Sequence, residues 1–503
     1  MAASPDRRDF LQTSAALSAT SLVFPHGLPT VSADDARVDP NLVQLDPEIE
    51  PVVRLIEDTP RNTLLEEMAS RVKKGLPYRD VLASLLLAGV RNIQPRPSVG
   101  FKFHAVLVVN SAHLASQAGP DRERWLPIFW ALDNFKSAQA QNQKESGWRM
   151  RPAAEMKLPP PHSAREVLIR AMDSWDVEAA DVATAALARS ASTNELFELF
   201  VRYGCRDFRD IGHKAIFVAN AFRTLATIGR QHAEPVLRSL AYALLAHEGD
   251  NPAKRDAEPD RPGRRNIELA RRIPPGWRDG KPSPEATADV LAAVRTATSA
   301  DLSDKVVSLL NGSVAAGSVW DGLFVSAAEL LMRQPGIVGL HTLTTLNALH
   351  YSHEASGDDE TRKLLLLQAA SFLPLFREAM KSRGKLADVM IDTLNGPEDV
   401  KEHDVGAVFA QLSKDKMAAA RTAMGYLRSR PTAARELIDA ARLLVFLKGT
   451  DAHDYKFSAA VMEDSTHIAP AWRDRFLAAS LFWMKGSGSP DSPVAKRTQA
   501  AIG

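Results

Sequence analysis

The chain has 503 residues, a hydrophobic fraction of 45% and nearly balanced charge, with 62 Lys and Arg against 61 Asp and Glu. That is enough apolar material for a large helical array or about two to four domains, and the near-neutral charge excludes the basic surface that nucleic acid or an anionic membrane selects. Cys205 is the only cysteine, which excludes an internal disulfide and any cysteine-rich zinc or iron–sulfur centre.

At the N-terminus, Arg7-Arg8-Asp9-Phe10-Leu11 places two arginines before an apolar pair. An apolar stretch follows from Ala15 to Phe24, and Val31-Ser32-Ala33 offers small residues for cleavage. Basic start, apolar middle and small-residue cut site make a secretory signal, and the arginine pair directs it to the twin-arginine translocase. The stretch is shorter than the about 20 apolar residues a membrane span needs, so no stable anchor is expected. Residues 1–33 are read as the signal, and the mature protein is expected in the periplasm or outside the cell.

Helical periodicity carries the rest. Leu64 to Ala69, Ala179 to Ala188, Arg223 to Leu245 and Lys363 to Arg377 all space their apolar residues for helices, and no pair of alternating β-branched runs joined by a hairpin turn appears. The expected fold is all-α, with paired antiparallel helices in a bundle or short superhelix around a histidine-lined interior. A proline run at Leu158-Pro159-Pro160-Pro161 separates helical blocks. Residues 34–248 are expected to form one helical domain and 287–485 a second. Between them, 249–286 is rich in Pro, Gly, Arg and Asp and reads as a linker or lid. The tail 486–503 reads as disordered.

Several histidines lie within apolar helical stretches. His104-x5-Asn110-x2-His113 and His341-x5-Asn347-x2-His350 repeat one pattern, and His213 with Asn220 is a looser relative. At about 100° per residue, His104 and His113 point to opposite sides of one helix, as do His341 and His350, whereas His213 and Asn220 share a face. One histidine of each pair can then face a shared interior, and imidazoles gathered from several helices build metal or haem centres in bundles. His104, His213 and His341 are the candidate metal ligands, with Glu329 a candidate carboxylate ligand that could instead pair with Arg238 or Arg333. His213, Asn220 and Asn347 are the candidate catalytic residues, and His113, His350 and Arg223 candidate cofactor contacts. Asn110, like Asn220 and Asn347, is placed to orient a ligand. Imidazole with a carboxylate suits iron, copper or zinc.

Other polar clusters read more plainly. His350, His353 and Glu354 run into Ser356-Gly357-Asp358-Asp359 and are expected at a solvated helix end. Glu234, just before Pro235, fits the first turn of a helix. Asp451-Ala452-His453-Asp454-Tyr455-Lys456 could line a cleft or cap a helix, and capping is favoured. Gly312 to Ser318 lacks the lysine of a phosphate loop, and no HExxH, GxSxG or CxxCH motif occurs.

The order of the histidine helices resembles the questin oxidase-like family. The residues concerned are His104 on its apolar helix, Gly212-His213 with Arg223, then Leu340-His341-Thr342 with Asn347-Ala348-Leu349. The segment Glu234 to Tyr242 is also similar. The resemblance covers roughly 100–360, with Phe103 where the family has Asn and His350 where it has Arg. It implies an oxidoreductase that inserts oxygen into an aromatic or polyketide-like substrate, with His104, His213 and His341 as site residues. The expected protein is an exported oxygenase-like enzyme for a small organic molecule, holding iron or haem. The rival is a helical-repeat scaffold binding a protein or glycan partner, with its histidines dispersed in the core.

Overall fold

Low-polarity, alanine- and leucine-rich segments bounded by Ser, Thr, Asp and Pro are expected to become capped helices, and in a computed structural model they do. The structure describes residues 39–95, 101–397 and 404–503. Among these there are twenty-two α-helices and no strand, with one isolated bridge between Lys281 and Val314. The arginine pair and cleavage site of the N-terminal signal lie outside the described residues. No described helix is long and apolar enough to cross a membrane.

The first block holds α1 (Glu50–Asp58), α2 (Arg61–Lys73), α3 (Tyr78–Asn92), α4 (His104–Ala118) and α5 (Leu126–Glu145). Next come α6 (Pro161–Ser174), α7 (Val177–Ser190), α8 (Thr193–Gly204), α9 (His213–Ile228) and α10 (Ala233–Leu244). The third block is α11 (Arg261–Ala270), α12 (Pro284–Thr296), α13 (Ser299–Asn311), α14 (Ala316–Arg333), α15 (Ile337–Ala355) and α16 (Asp359–Lys381). The last is α17 (Val405–Leu412), α18 (Lys416–Ser429), α19 (Ala433–Lys448), α20 (Ala452–Asp464), α21 (Pro470–Ser480) and α22 (Pro493–Ile502). Side chains of Asp176, Ser192, Ser283, Thr298, Asp358 and Asp451 accept first-turn N–H groups, so these starts are written locally.

Four helices from distant parts of the chain make the centre. α4 and α15 each pack against both α9 and α20, closing a ring. α15 is buried without a break from Val338 to His350, and α4 from Ala105 to Ala112, as helices surrounded by others must be. All four run the same way. His104 meets His213 at the start of α4 and α9, and Asn110 meets Asn220 two turns later. His341 and His453 lie together at one end, while Asn347 meets Glu463 and Asp464 further along α15 and α20. The antiparallel pairs formed by short loops, such as α15 with α16, wrap this parallel core.

Three expectations are corrected. Arg223 to Leu245 is not one helix: it breaks at Gly229, whose φ of +112° ends α9 before α10 begins. Residues 40–503 form one compact unit, so 249–286 does not link two domains. Its helix α11 lies on α16, with Asn266 donating to Gln368 and Ser371, each at 2.7 Å, and Arg209 holds Asp260 in a two-pronged ion pair. The tail 486–503 is ordered by packing: α22 buries Ala495 and Thr498 and rests on α2 and α5, and Arg497 pairs with Glu66. Composition flagged both segments as loose because it is blind to such distant partners.

Candidate metal centre

Each central helix brings one histidine to the same end of the ring. His104 opens α4, His213 opens α9, His453 is second in α20, and His341 begins the second turn of α15. Each offers one ring nitrogen, and these four atoms all lie within 4.8 Å of one another, close enough to hold a metal ion. His213 Nε2 is 3.0 Å from His104 Nε2 and 3.1 Å from His341 Nε2. His453 closes the set, its ring 4.4 Å from that of His104 and 5.1 Å from that of His341, centroid to centroid.

The other ring nitrogens define the protonation. His213 Nδ1 lies 2.5 Å from the Asp210 carbonyl oxygen, His341 Nδ1 2.6 Å from that of Ile337, and His453 Nδ1 2.5 Å from an Asp451 carboxylate oxygen. Carbonyls and carboxylates accept, so each Nδ1 is the donor and each Nε2 presents a lone pair. His453 Nε2 is buried with no hydrogen-bond partner among the described residues. Burial, reinforced by Lys456 and the neighbouring histidines, holds His213 and His341 well below the usual imidazole range. Burial also lowers His453 despite its bond to Asp451. Burial would raise Asp451, but the ring and backbone N–H of His453 hold it down at about 2. An oxygen acceptor behind each of these rings is the outer-shell arrangement of metal-bound histidine.

A metal–nitrogen bond of about 2.0–2.1 Å gives ligand–ligand edges of about 2.9 Å at right angles and about 3.3 Å for a tetrahedron. The observed 3.0 and 3.1 Å fall in that range, and four imidazoles suit a first-row transition metal. Haem does not fit. With the rings of His104, His213 and His341 packed 4.9 and 4.5 Å apart and His453 against two of them, no slot remains for a macrocycle.

The turn that presents His213 is strained. Asp210 and Ile211 both have positive φ, 53° and 46°, and Gly212 follows at 84°. A β-branched residue rarely adopts that region, and such strain gathers at functional sites. A Cβ on Gly212 would strike Thr345 of α15, so glycine permits the approach that sets His213 against His341. Behind the turn, buried Lys214 donates to buried Asp207 at 2.9 Å.

Beside the cluster lies a small cavity of about 10 Å³ whose polar lining includes Asn110, Asn220, Arg223, Thr344, Asn347 and Lys456. That is room for about one water. Asn110 Nδ2 donates to Asn220 at 3.2 Å, and Asn220 Nδ2 to the Leu107 carbonyl at 2.8 Å. Asn347 donates to Glu463 and Asp464, and Arg223 to the same Glu463 oxygen, each at 2.8 Å. A cleft of about 1140 Å³ between α6, α8, α11 and α16 contains none of the four histidines.

His104, His213 and His341 therefore converge, and Asn220, Asn347 and Arg223 line the adjoining cavity. The other candidates lie elsewhere. Glu329 is held by Arg295 at 2.9 and 2.7 Å and by the Ile391 N–H, outside the cluster, so it is not a ligand there. Arg333 is a weaker partner at 3.8 Å, and Arg238 pairs instead with Asp181. His113 bonds Tyr78 at 2.9 Å, and His350 packs on Trp320, Phe324 and His467. Nine residues beyond a ligand, each points half a turn away. His350 and His353 are buried rather than at a solvated end, because Trp320 and Trp277 cover them. Sequence reasoning missed His453 as a member of the cluster. Asp451 does cap α20 in a capping box, as expected, yet the same carboxylate turns the His453 ring toward the cluster. The signal was a histidine beside a capping carboxylate at the head of an apolar run.

Fold and site together define an all-helical protein with a buried four-histidine cluster that can hold a metal ion. Compared with protein-family models, curated proteins and solved structures, the chain matches none of them.

Proposed function

We propose that this chain is an exported metal-dependent oxidoreductase whose centre is His104, His213, His341 and His453. The observation that carries the reading is the convergence of the imidazoles, with the Nε2 lone pairs of His213 and His341 facing each other in a contact that is costly unless a cation lies between them. A scaffold has no need for that arrangement, and its histidines would each find an ordinary partner, as His113 does with Tyr78. Iron is the occupant we favour, since twin-arginine export carries proteins already folded around a cofactor and the questin oxidase-like resemblance points to redox chemistry. When bound, such a metal would supply electron transfer to dioxygen or a peroxide.

The chain's own contribution is orientation and exclusion. Asp210, Ile337 and Asp451 fix three rings in the ligating tautomer. The four helix starts direct positive dipole ends at the site, which favours an anionic partner for the metal. The cavity beside the cluster admits something the size of water or dioxygen and is too small for an aromatic ring. The supported co-substrate is thus a small oxygen species, with an organic substrate reacting only after the site opens.

Elemental analysis with absorption and electron paramagnetic resonance spectra of the mature exported protein tests this. Near-stoichiometric iron is the expected result. Zinc alone would remove the redox assignment, and a folded protein with no metal would remove the metalloenzyme.

A further inference from the structure

The cavity beside the histidines is surrounded by polar groups that lack partners. Lys456 Nζ, Arg223 Nε and Nη2, Thr344 Oγ1 and Asn110 Oδ1 are all buried with no hydrogen-bond partner among the described residues. Asn110, Thr344 and Lys456 are 2%, 4% and 3% exposed. Buried donors and acceptors are nearly always satisfied, so several around one small space indicate a missing occupant. The set is unequal in chemistry. It offers an ammonium, guanidinium N–H groups and a hydroxyl as donors, against one amide oxygen as acceptor. Glu463 already takes Arg223 and Asn347, and Asp451, which acts on Lys456 from a distance, is taken by His453. Among the described residues, no carboxylate lies within hydrogen-bond reach of Lys456 Nζ.

We infer that this cavity is a binding site for a small monoanion of one or two non-hydrogen atoms, held by Lys456, Arg223 and Thr344 beside the histidine cluster. The inference rests on the proposed metal centre only for why an anion is wanted there; the binding groups belong to the chain. Asn110 and Asn220, linked to each other, also line the cavity, and Asn110 Oδ1 can accept any proton the ligand carries. Entry runs past the half-exposed rim of Leu114, Asn220, Arg223 and Ala459. Anything as large as an aromatic carboxylate is excluded by volume. The class is that of fluoride, hydroperoxide or superoxide, and among these the oxygen species match the chemistry proposed for the cluster.

Fluoride, close to water in size, is the probe. It is titrated by calorimetry into the full mature protein, once as purified and once after removal of metal by chelation, and into Lys456→Met and Thr344→Val, with metal content measured for every sample. Saturable one-to-one binding is expected in both metal states, weakened at least tenfold by Lys456→Met and severalfold by Thr344→Val. Circular dichroism confirms that both variants fold. Binding confined to the metal-loaded form would overturn the inference, because fluoride would then be a ligand of the metal alone. Binding unchanged in Lys456→Met, or absent from the wild type, would also overturn it. A protein that binds fluoride but never holds metal would keep this inference and remove the metalloenzyme reading, so the two fail separately.

Discussion

His213 and His341 face each other through Nε2 atoms 3.1 Å apart while each Nδ1 is engaged by a backbone carbonyl, from Asp210 and Ile337. With the Nδ1 protons so committed, two lone pairs meet without a proton between them. A third imidazole, His104, adds its Nε2 at 3.0 Å. Such a contact is repulsive by itself and attractive around a cation, which makes it the sharpest pointer to a metal in the molecule.

Removing a ligand is expected to remove the metal while leaving the helices. His104→Ala, His213→Ala, His341→Ala and His453→Ala should each lose most of the bound metal, whereas His113→Ala and His350→Ala should retain it. Asp451→Asn keeps the ligands and weakens only the orientation of His453, so a roughly 10–100-fold loss of affinity is expected. Elemental analysis alongside circular dichroism decides it. Full occupancy in His453→Ala would show that this ring is not a ligand.

Acid should destabilise the metal-free fold. Burial pushes His350 down to about 3 and holds His213 and His341 well below the usual range. Between the unfolded value near 6.5 and these folded values the unfolded chain binds more protons, so stability falls as pH drops through that window. His350 alone should cost about 2 kcal/mol at pH 5. Asp464, raised well above the carboxylate range by burial, opposes the trend, since protonation favours its folded form. Urea midpoints between pH 7.5 and 5 report the balance, and an unchanged midpoint would contradict it.

Lys456→Met should stabilise the protein even as it weakens anion binding. Burial pushes the Lys456 ammonium down to about 7, and its Nζ has no hydrogen-bond partner among the described residues. An unpaired buried amine kept for function costs stability, here on the order of 2 kcal/mol at neutral pH. Between pH 7 and the unfolded value near 10.5 the unfolded chain holds the extra proton, so the wild type gains stability as pH rises. The advantage of the variant should therefore shrink toward pH 10. An advantage independent of pH would point to packing instead of charge.

Asp207→Ala should be severely destabilising. Burial would raise this carboxyl, but Lys214, Arg206 and Arg209 outweigh it and hold the group ionised. Deleting it leaves Lys214 buried without its 2.9 Å partner, which should cost about 3–5 kcal/mol. Because Lys214 follows His213, metal affinity should fall as well. Thermal unfolding and metal content measured together test both halves, and a loss below 1 kcal/mol would show that the cluster relaxes around the deletion.

The helices and three of the four clustered histidines were legible in the sequence because both are local properties. The 3.6-residue period, the capping side chains and the repeated His-x5-Asn-x2-His pattern each act within one helix, and the half-turn argument correctly set His104 and His341 apart from His113 and His350. Glu329 was misplaced because its partner, Arg295, comes from another helix. His453 was hidden for a similar reason: within its own segment Asp451 is a cap, and only the approach of α20 to α4 and α15 turns that cap into support for a fourth ligand. The order of residues 249–286 and 486–503 likewise depends on distant surfaces that local composition does not encode. The sequence by itself determined which segments become helices and which face of each carries its histidine. The tertiary structure alone decided that four helices far apart in the chain run parallel with those histidines at one end, because the ring forms by burying apolar faces against one another, and that packing is a property of the whole chain.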